Sequence, residues 1–463
     1  MRILTKLLTL EPLERHPGRV LTTIGLVFAA AYLSSLTIFP RAHGRIITGD
    51  TIQYYAYLRS IVIDGDVDFT NDYRLLYATS DNADGTANNV WLTSRTPTGR
   101  ATNLMSIGPA ILWAPAFLTT YAALAVLRVV GIAVPLDGIF APFELSVGLA
   151  GIFYATLGAF LCYRSGRLLF DGRAAFWAAL VAWLATPAVY YSLVSPAYSH
   201  ATSLFASALF CYVWLRDRGD DSIRHHLWLG TLAGLAALVR WQDGIILILP
   251  LADLARSVAT RRASLVSATV RAAVMLCGTG IMLLPQMVAW RSIYGQFVVM
   301  PQGDSFMQWT KPALLQVLFS MRHGLFSWTP AVLLSVVGLR WLIRRDGSIG
   351  WPALAVVLLA IYVNASVNDW WAGEAFGARR FIGDTVLFAL GLTAIFAVGS
   401  WQRHPVLLRW TAVALVAYNL LFLLQYQLVM RGFQQFGPYP GTVRQVLFDR
   451  LTLPWRLLGV WLG

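Results

Sequence analysis

The chain is a succession of apolar runs, each long enough to cross a bilayer, and this limits the fold more than any motif does. The first run extends from Val20 to Pro40. Windows of roughly 17–25 apolar residues, the length that spans about 30 Å of hydrocarbon, recur along nearly the whole sequence. Within lipid every backbone N–H and C=O has to be satisfied inside the chain, which helices do segment by segment. The expectation is an all-α polytopic membrane protein: a single integral membrane domain over residues 1–463 with about eleven to thirteen transmembrane helices. An ordinary soluble domain is excluded, because 57% of the residues are hydrophobic, mean hydropathy is +0.59 and only 13% are charged.

The net charge of +13 does not indicate nucleic acid, because the basic residues form short clusters between apolar runs instead of one stripe. Arg2, Lys6, Arg15 and Arg19 precede the first span. Arg164 to Arg173, Arg216 to Arg224, Arg256 to Arg262, Arg340 to Arg345 and Arg403 to Arg409 punctuate later ones. The positive-inside rule places all of these in the cytoplasm. Cys162, Cys211 and Cys277 lie in or beside spans, where a packing role is the default. Phe39-Pro40-Arg41 offers no small-x-small cleavage site, so the first run is expected to stay as an anchor.

Spans are expected near 20–38, 104–127, 144–163, 174–192, 198–215, 226–240, 243–257, 270–289, 325–342, 350–364, 384–400 and 407–428. Counted alternately from a cytoplasmic N-terminus, they put Arg164 to Arg173 on the wrong side, so something between 104 and 163 has to be irregular. A re-entrant or broken helix at Ile107-Gly108-Pro109 or Trp113-Ala114-Pro115 would restore the parity.

This topology gathers on the outer face a first extracytoplasmic loop, 39–103, a second large loop, 290–324, and a Trp/Arg loop, 365–383. A C-terminal segment, 443–463, is short and charged enough to lie at the interface despite a break at Pro454. The first loop carries Asp50, Asp64, Asp66, Asp68, Asp72, Asp81 and Asp84, against Lys311, Arg322, His323, Arg379 and Arg380 in the others.

Asp50 opens Thr51 to Ile63, whose Tyr54, Tyr55, Leu58, Ile61 and Val62 share one helical face, so an amphipathic interfacial helix is expected there. With Gln53 three residues on, Asp50 has the pattern of a capping box, and a capped position also suits a fixed general base. Asp64-Gly65-Asp66-Val67-Asp68 fails as a calcium loop of the EF-hand kind, since Phe69 stands where the turn glycine belongs and Leu75 where the bidentate glutamate belongs, which leaves a solvated acidic loop or, as the alternative, a weak divalent-cation site. Arg379-Arg380 beside Trp370-Trp371 suits a phosphate and a sugar face, and can equally be an aromatic belt with snorkelling arginines. Arg322-His323 at the mouth of a span is a similar case. His200 and the pair Arg240 with Asp243 are weaker, the first as a satisfied buried histidine and the second as a self-neutralising ion pair.

Gly49-Asp50-x-x-x-Tyr54-Tyr55, His323-Gly324-Leu325-Phe326-Ser327-Trp328 and Trp370-Trp371-x-Gly373-x-x-Phe376-Gly377-x-Arg379 resemble motifs of uncharacterised bacterial members of the GT-C superfamily of membrane glycosyltransferases, akin to family 39, the protein O-mannosyltransferases and the aminoarabinose transferase of lipid A. Thr51 departs from the mannosyltransferases, which have an Asp-Glu pair. The resemblance implies a GT-C-like fold, a polyprenyl-phosphate sugar donor, a glycan, lipid or protein acceptor, and inverting transfer at the outer face of a bacterial inner membrane. Asp50 would be the base. Arg379, Arg380, His323, Arg322 and Lys311 would hold the donor phosphate, and Tyr54, Tyr55, Trp370, Trp371, Glu374 and His200 would contact sugar or lipid. No metal-ligand set emerges, and a divalent cation near Asp50 is the one cofactor candidate. A transporter or flippase of lipid-linked glycan is the alternative, without the internal repeat it should show; a surface-polysaccharide polymerase or ligase is the third.

Overall fold

A computed structural model describes residues 10–38, 46–77, 86–373, 375–431 and 441–462. Lys6, Asp81, Asp84 and Glu374 lie outside the described residues. Among those described the chain is helical, with only isolated bridges between Arg95 and Ala101 and between Met307 and Val367. In chain order the main helices are α1 Pro17–Ile38, α2 Thr51–Arg59, α3 Thr70–Tyr77, α4 Gly108–Val129, α5 Ala141–Leu169, α6 Gly172–Leu184, α7 Ser199–Arg216 and α8 Ile223–Val239. They continue with α9 Ile248–Ala259, α10 Leu265–Tyr294, α11 Pro330–Arg345, α12 Gly347–Ala365, α13 Thr385–Phe396, α14 Pro405–Gln425 and α15 Asp449–Leu462.

Six helices are long and apolar enough to cross a membrane: Pro17–Leu36, Gly108–Val129, Ala141–Leu169, Leu265–Tyr294, Gly347–Ala365 and Pro405–Leu428. The protein is a multi-pass membrane protein. Other expected spans are two-part. Residues 174–192 become α6 and the short helix Ala188–Leu193, separated at Pro187; 325–342 becomes Leu325–Trp328 and α11, separated at Pro330. Helical 3₁₀ turns Trp241–Leu247 and Arg379–Asp384 lead into α9 and α13. Proline cannot continue a hydrogen-bonded helix, and irregular backbone is tolerated in a membrane bundle only where protein or a cavity shelters it. All these interruptions fall at one end of the bundle.

Contacts between α1 and α5 define the two ends. They run antiparallel, with Gly18 against Phe160, Gly25 against Thr156 and Tyr32 against Gly148. Glu144 then accepts from the backbone N–H groups of Ile46 and Ile47 at 2.7 and 3.0 Å, next to Asp50. At the other end Glu14 joins Arg173, Trp177 and Arg409. Helix pairs in between approach closely at small residues: a Cβ on Gly230 would sit 2.0 Å from the Met275 carbonyl, and one on Gly278 2.6 Å from that of Leu227, so α8 and α10 pack backbone to backbone.

The irregularity expected between 104 and 163 is present, in another form. α4 runs unbroken through Pro115, with neither a break there nor a re-entrant turn at 107–109. Its approach, however, is buried in the bundle: Asn103 Nδ2 donates to the Gln53 carbonyl, Ser106 Oγ to that of Val239, and Ile107 N to Gln286 Oε1. After α4 the chain returns to α2, where Tyr55 OH donates to the Gly138 carbonyl and Arg59 Nε to that of Asp137. By Asp137 and Gly138 the chain is therefore at the Asp50 end, α5 starts there, and Arg164, Arg167 and Arg173 fall at the Glu14 end as the charge rule requires.

α2 departs from expectation. All of Thr51 to Arg59 is buried, with Trp113 and Phe117 of α4 and Tyr73 and Tyr77 of α3 around it, so it is not a helix with one face left to the interface. The residues before α4 cover the face that the sequence alone leaves open. At the C-terminus, Val443–Leu447 opens with a capping box of Thr442 and Gln445, and α15 continues through Pro454 without a break. Tyr418 OH of α14 donates to the Leu447 carbonyl, while Trp455 stays 75% exposed.

Candidate active site

The three long loops converge at the Asp50 end. Gln302 Nε2 donates to the Leu104 carbonyl at 2.9 Å, Gln308 N to that of Ser366 at 2.6 Å, and Asn368 N to that of Phe306 at 2.8 Å.

Asp50 precedes α2 with a helical backbone, and its side chain caps nothing. The expected capping box is absent because both side chains have other partners. Gln53 accepts from Leu104 N at 2.8 Å and donates to Tyr77 OH at 3.3 Å. Asp50 Oδ2 lies 2.8 Å from Arg379 Nη1, with the Asp50 side chain 38% exposed and that of Arg379 15%. The turn carrying Asp50 depends on Gly49, whose φ of +60° is left-handed and whose added Cβ would stand 2.7 Å from the Tyr198 hydroxyl.

Arg379 is aimed by a loop that stores backbone strain. Ala372, Gly373 and Gly377 all have φ between +62° and +68°, unfavourable for Ala372. At Gly377 a Cβ would meet Pro187 Cγ at 2.7 Å, so the break between α6 and Ala188–Leu193 is what the Arg379 loop packs into. The Arg379 guanidinium lies 6.0 Å from the centre of the Tyr198 ring. Burial acts against its charge, and the carboxylate of Asp50 with the phenols of Tyr191 and Tyr198 outweighs it, moving its pKa upward. Arg380 is turned elsewhere, donating to Asp369 Oδ1 at 2.6 Å and to the Asp369 carbonyl at 2.8 Å. Burial draws it below its usual value in spite of that partner.

A third arginine stands here. Arg240 Nη1 donates to Ser199 Oγ at 3.0 Å, and Ser199 Oγ to Tyr54 OH at 3.0 Å. The ion pair expected between Arg240 and Asp243 is not formed: Asp243 Oδ2 accepts from Ser203 Oγ at 2.5 Å. The sequence signal for Arg240 was an arginine at the outer end of a span. Its neighbour at Asp243 suggested self-neutralisation, and only the 3₁₀ turn separates the two side chains.

The other candidates divide. Tyr54 belongs to the site through Ser199, whereas Tyr55 is buried against Phe117 with its hydroxyl on Gly138, away from Asp50. His200 is buried between the rings of Tyr191 and Tyr198, its centroid 4.3 and 6.2 Å from theirs. Its Nδ1 has no partner. His323 adopts a left-handed φ of +59° and its Nδ1 donates to the Trp371 carbonyl at 2.6 Å. Burial pushes its pKa down to about 4, so it is a neutral imidazole at pH 7 and not a cation for a phosphate. Arg322 stacks on Trp371 at 4.2 Å, and its buried Nε is unpartnered. Trp370 and Trp371 form an edge-to-face pair at 5.6 Å. Lys311 is exposed on the second loop and makes no described side-chain contact with this group.

The aspartates after α2 are structural. Asp66 Oδ1 accepts from Ser60 Oγ and Asp68 N, Asp68 Oδ1 from Thr70, and Arg59 Nη1 donates to Asp64 at 2.6 Å and to Asp72 at 2.8 Å. Burial raises the carboxyl of Asp72 to about 6 against the pull of Arg59. Among the described residues no group of three or more His, Cys, Asp or Glu is placed to hold a metal.

No protein-family model and no curated protein matches the chain. Among solved structures it is similar to the archaeal oligosaccharyltransferase AglB from Archaeoglobus fulgidus in complex with an inhibitory peptide and a dolichol-phosphate, at 15% identity and TM-score 0.44, covering 94% of this chain and 54% of that one. The apo form of the Archaeoglobus fulgidus oligosaccharyltransferase gives 15% identity and TM-score 0.47 over the same shares. ArnT from Cupriavidus metallidurans bound to undecaprenyl phosphate gives 14% identity and TM-score 0.49, covering 93% of this chain and 74% of that one. The chain spans about half the length of the oligosaccharyltransferase chains it matches.

Proposed function

We propose that the protein is a GT-C-type membrane glycosyltransferase that moves a sugar from a polyprenyl-phosphate donor to an acceptor hydroxyl, with Asp50 as general base. The observation that carries this reading is the part-exposed Asp50 carboxylate held 2.8 Å from the largely buried Arg379, whose side chain is 15% exposed, where three loops meet. A structural ion pair at such a place has no need of a strained loop to aim it, and strain of that kind collects at functional sites.

In the reaction Asp50 takes the proton of the acceptor hydroxyl as that oxygen bonds to the anomeric carbon. The bond from this carbon to the lipid phosphate breaks on the opposite face, and the configuration inverts. Arg379 is the nearest guanidinium to the carboxylate. Movement of Arg379 from Asp50 onto the donor phosphate would neutralise the leaving group and, in the same motion, free the Asp50 carboxylate for the acceptor hydroxyl. Arg240, joined to Tyr54 through Ser199, and Arg322 on Trp371 are the further cations at this end; Arg380 serves by bracing the loop on Asp369. A divalent cation beside Asp50 would compete with Arg379, and among the described residues no group of three or more His, Cys, Asp or Glu is placed to hold one, so no step is drawn through it. The reading places the Asp50 end on the periplasmic or outer face of a bacterial inner membrane, with the arginine-rich Glu14 end in the cytoplasm.

The test is transfer of radiolabelled sugar from a panel of polyprenyl-phosphate sugars in membranes, with the native protein beside Asp50→Asn. Transfer by the native protein alone, with the variant folded and binding donor, is the expected result. Equal transfer by both removes Asp50 as the base, and movement of lipid-linked glycan across the bilayer without any transfer favours a flippase.

A further inference from the structure

At the Glu14 end, across the bundle from Asp50, an open cavity of about 630 Å³ lies where α5, α11, α13 and the short helix Gly399–Arg403 meet. Leu168, Ala394 and Val398 make part of its wall apolar, and Arg167, Arg345 and Trp341 complete the lining. Neither arginine forms an ion pair among the described residues, in contrast to Arg173, Arg218 and Arg409 nearby. The Arg345 guanidinium carbon lies 4.8 Å from the centre of the Phe170 ring, so one face is covered and the N–H edge is left for a ligand. Arg167 lies across Gly172, where a Cβ would stand 2.7 Å from Nη1. The carboxylate in the lining, Asp171, is already engaged: Oδ1 accepts from the backbone of Arg173 and Ala174, and Oδ2 from Gln402 Nε2 at 2.6 Å. The cavity therefore combines two arginines outside any described ion pair, in excess of its one carboxylate, with an apolar wall. It opens where the spans Ala141–Leu169 and Pro405–Leu428 end and begin, the depth at which acyl chains give way to headgroups.

We propose that this cavity binds the headgroup of an anionic glycerophospholipid, its phosphate on Arg167 and Arg345 and its glycerol and first acyl carbons against Trp341 and the apolar wall. A soluble anion could use the same guanidinium groups but has nothing to place on that wall.

Native mass spectrometry of the full chain, equilibrated in micelles with equal phosphatidylglycerol and phosphatidylcholine of identical acyl chains, tests this. Phosphatidylglycerol is expected to be retained in preference, and Arg167→Gln with Arg345→Gln should lower that retention by roughly tenfold or more, each cation beside a lipid surface contributing about a factor of five. Gly172→Ala displaces only the end of the Arg167 side chain and should lower retention a few-fold with the melting temperature unchanged. Arg261→Gln with Arg262→Gln, an equal loss of charge on the turn between α9 and α10, should leave retention as it is. Equal retention of the two lipids, or a loss matched by Arg261→Gln with Arg262→Gln, overturns the proposal. So does stabilisation by millimolar inorganic phosphate that the double variant abolishes while lipid retention persists, since the arginines would then serve a soluble anion.

Discussion

Asp50 and Glu14 are both carboxylates joined to an arginine from far along the chain, and they sit at opposite ends of the same bundle. Glu14 is saturated: Arg409 donates through Nε and Nη2 at 2.8 and 2.9 Å, Trp177 Nε1 at 2.6 Å and Arg173 Nε at 3.2 Å, with only 10% of the side chain exposed. Burial works against its charge, and the bonds from Arg409 and Trp177 outweigh that, holding the carboxyl below its usual value. Asp50 has one arginine, 38% exposure and a strained loop behind that arginine. The first arrangement closes a structure; the second leaves a carboxylate with capacity for another partner.

The sharpest test of this contrast is to neutralise each carboxylate in turn. Asp50→Asn is expected to lower turnover by ~10²- to 10⁴-fold while shifting thermal unfolding little, because the pair it breaks is part-exposed. Glu14→Gln is expected to do the reverse, destabilising the fold by about 3 kcal/mol in denaturant unfolding, because Arg409 would lose a buried charged partner. Turnover per folded molecule should stay near native. If Asp50→Asn unfolds the protein as readily as Glu14→Gln, the two pairs are of one kind and the site reading fails.

The pH dependence sharpens the same comparison at the corner behind the site. His323 is held near pKa 4, well below the value of about 6.5 it takes when unfolded. Between these values the unfolded chain binds more protons, so stability is full above about pH 6.5 and falls as the pH drops toward 4. Against His323→Asn, the native protein should lose up to about 3 kcal/mol more over that window in thermal unfolding curves; parallel curves would show that the histidine is not buried neutral. The smallest effect is expected from Tyr54→Phe, which leaves Ser199 Oγ with Arg240 alone. It should lower donor affinity or turnover by a factor of about 3 to 10, the worth of one hydrogen bond near charged groups, and an unchanged rate would detach the Tyr54–Ser199–Arg240 chain from the site.

Much of the architecture was legible because hydrocarbon imposes a length and a composition on each segment. α1, α5, α10, α12 and α14 fall on expected spans, and the loops expected on one face do converge. The parity argument located an irregularity before α5, yet its form was not legible. Pro115 is tolerated inside α4, while the departure lies in the buried approach of residues 103–107, where the side chains of Gln53 on α2 and Gln286 on α10 accept from the backbone and Asn103 and Ser106 donate to carbonyls of α2 and α8. At the site, Asp50 and Arg379 could be chosen singly from their positions after a span and in a Trp-rich loop. Tyr55 and His200 could not be told from Tyr54, since residues on a helix covered on all sides lose the exposed face that an amphipathic pattern implies.

By itself the sequence determined that this chain lives in a membrane, which end of the bundle collects the arginines, and which loops carry the chemistry-bearing residues, because the cost of polar groups in lipid acts on each segment separately. Tertiary structure alone decided that Asp50 abandons its helix for Arg379, that Arg240 turns to Ser199 in place of Asp243, and that His323 is neutral. Each of these depends on which charges and how much burial are brought close from elsewhere in the chain, and local pattern carries no information about that distance.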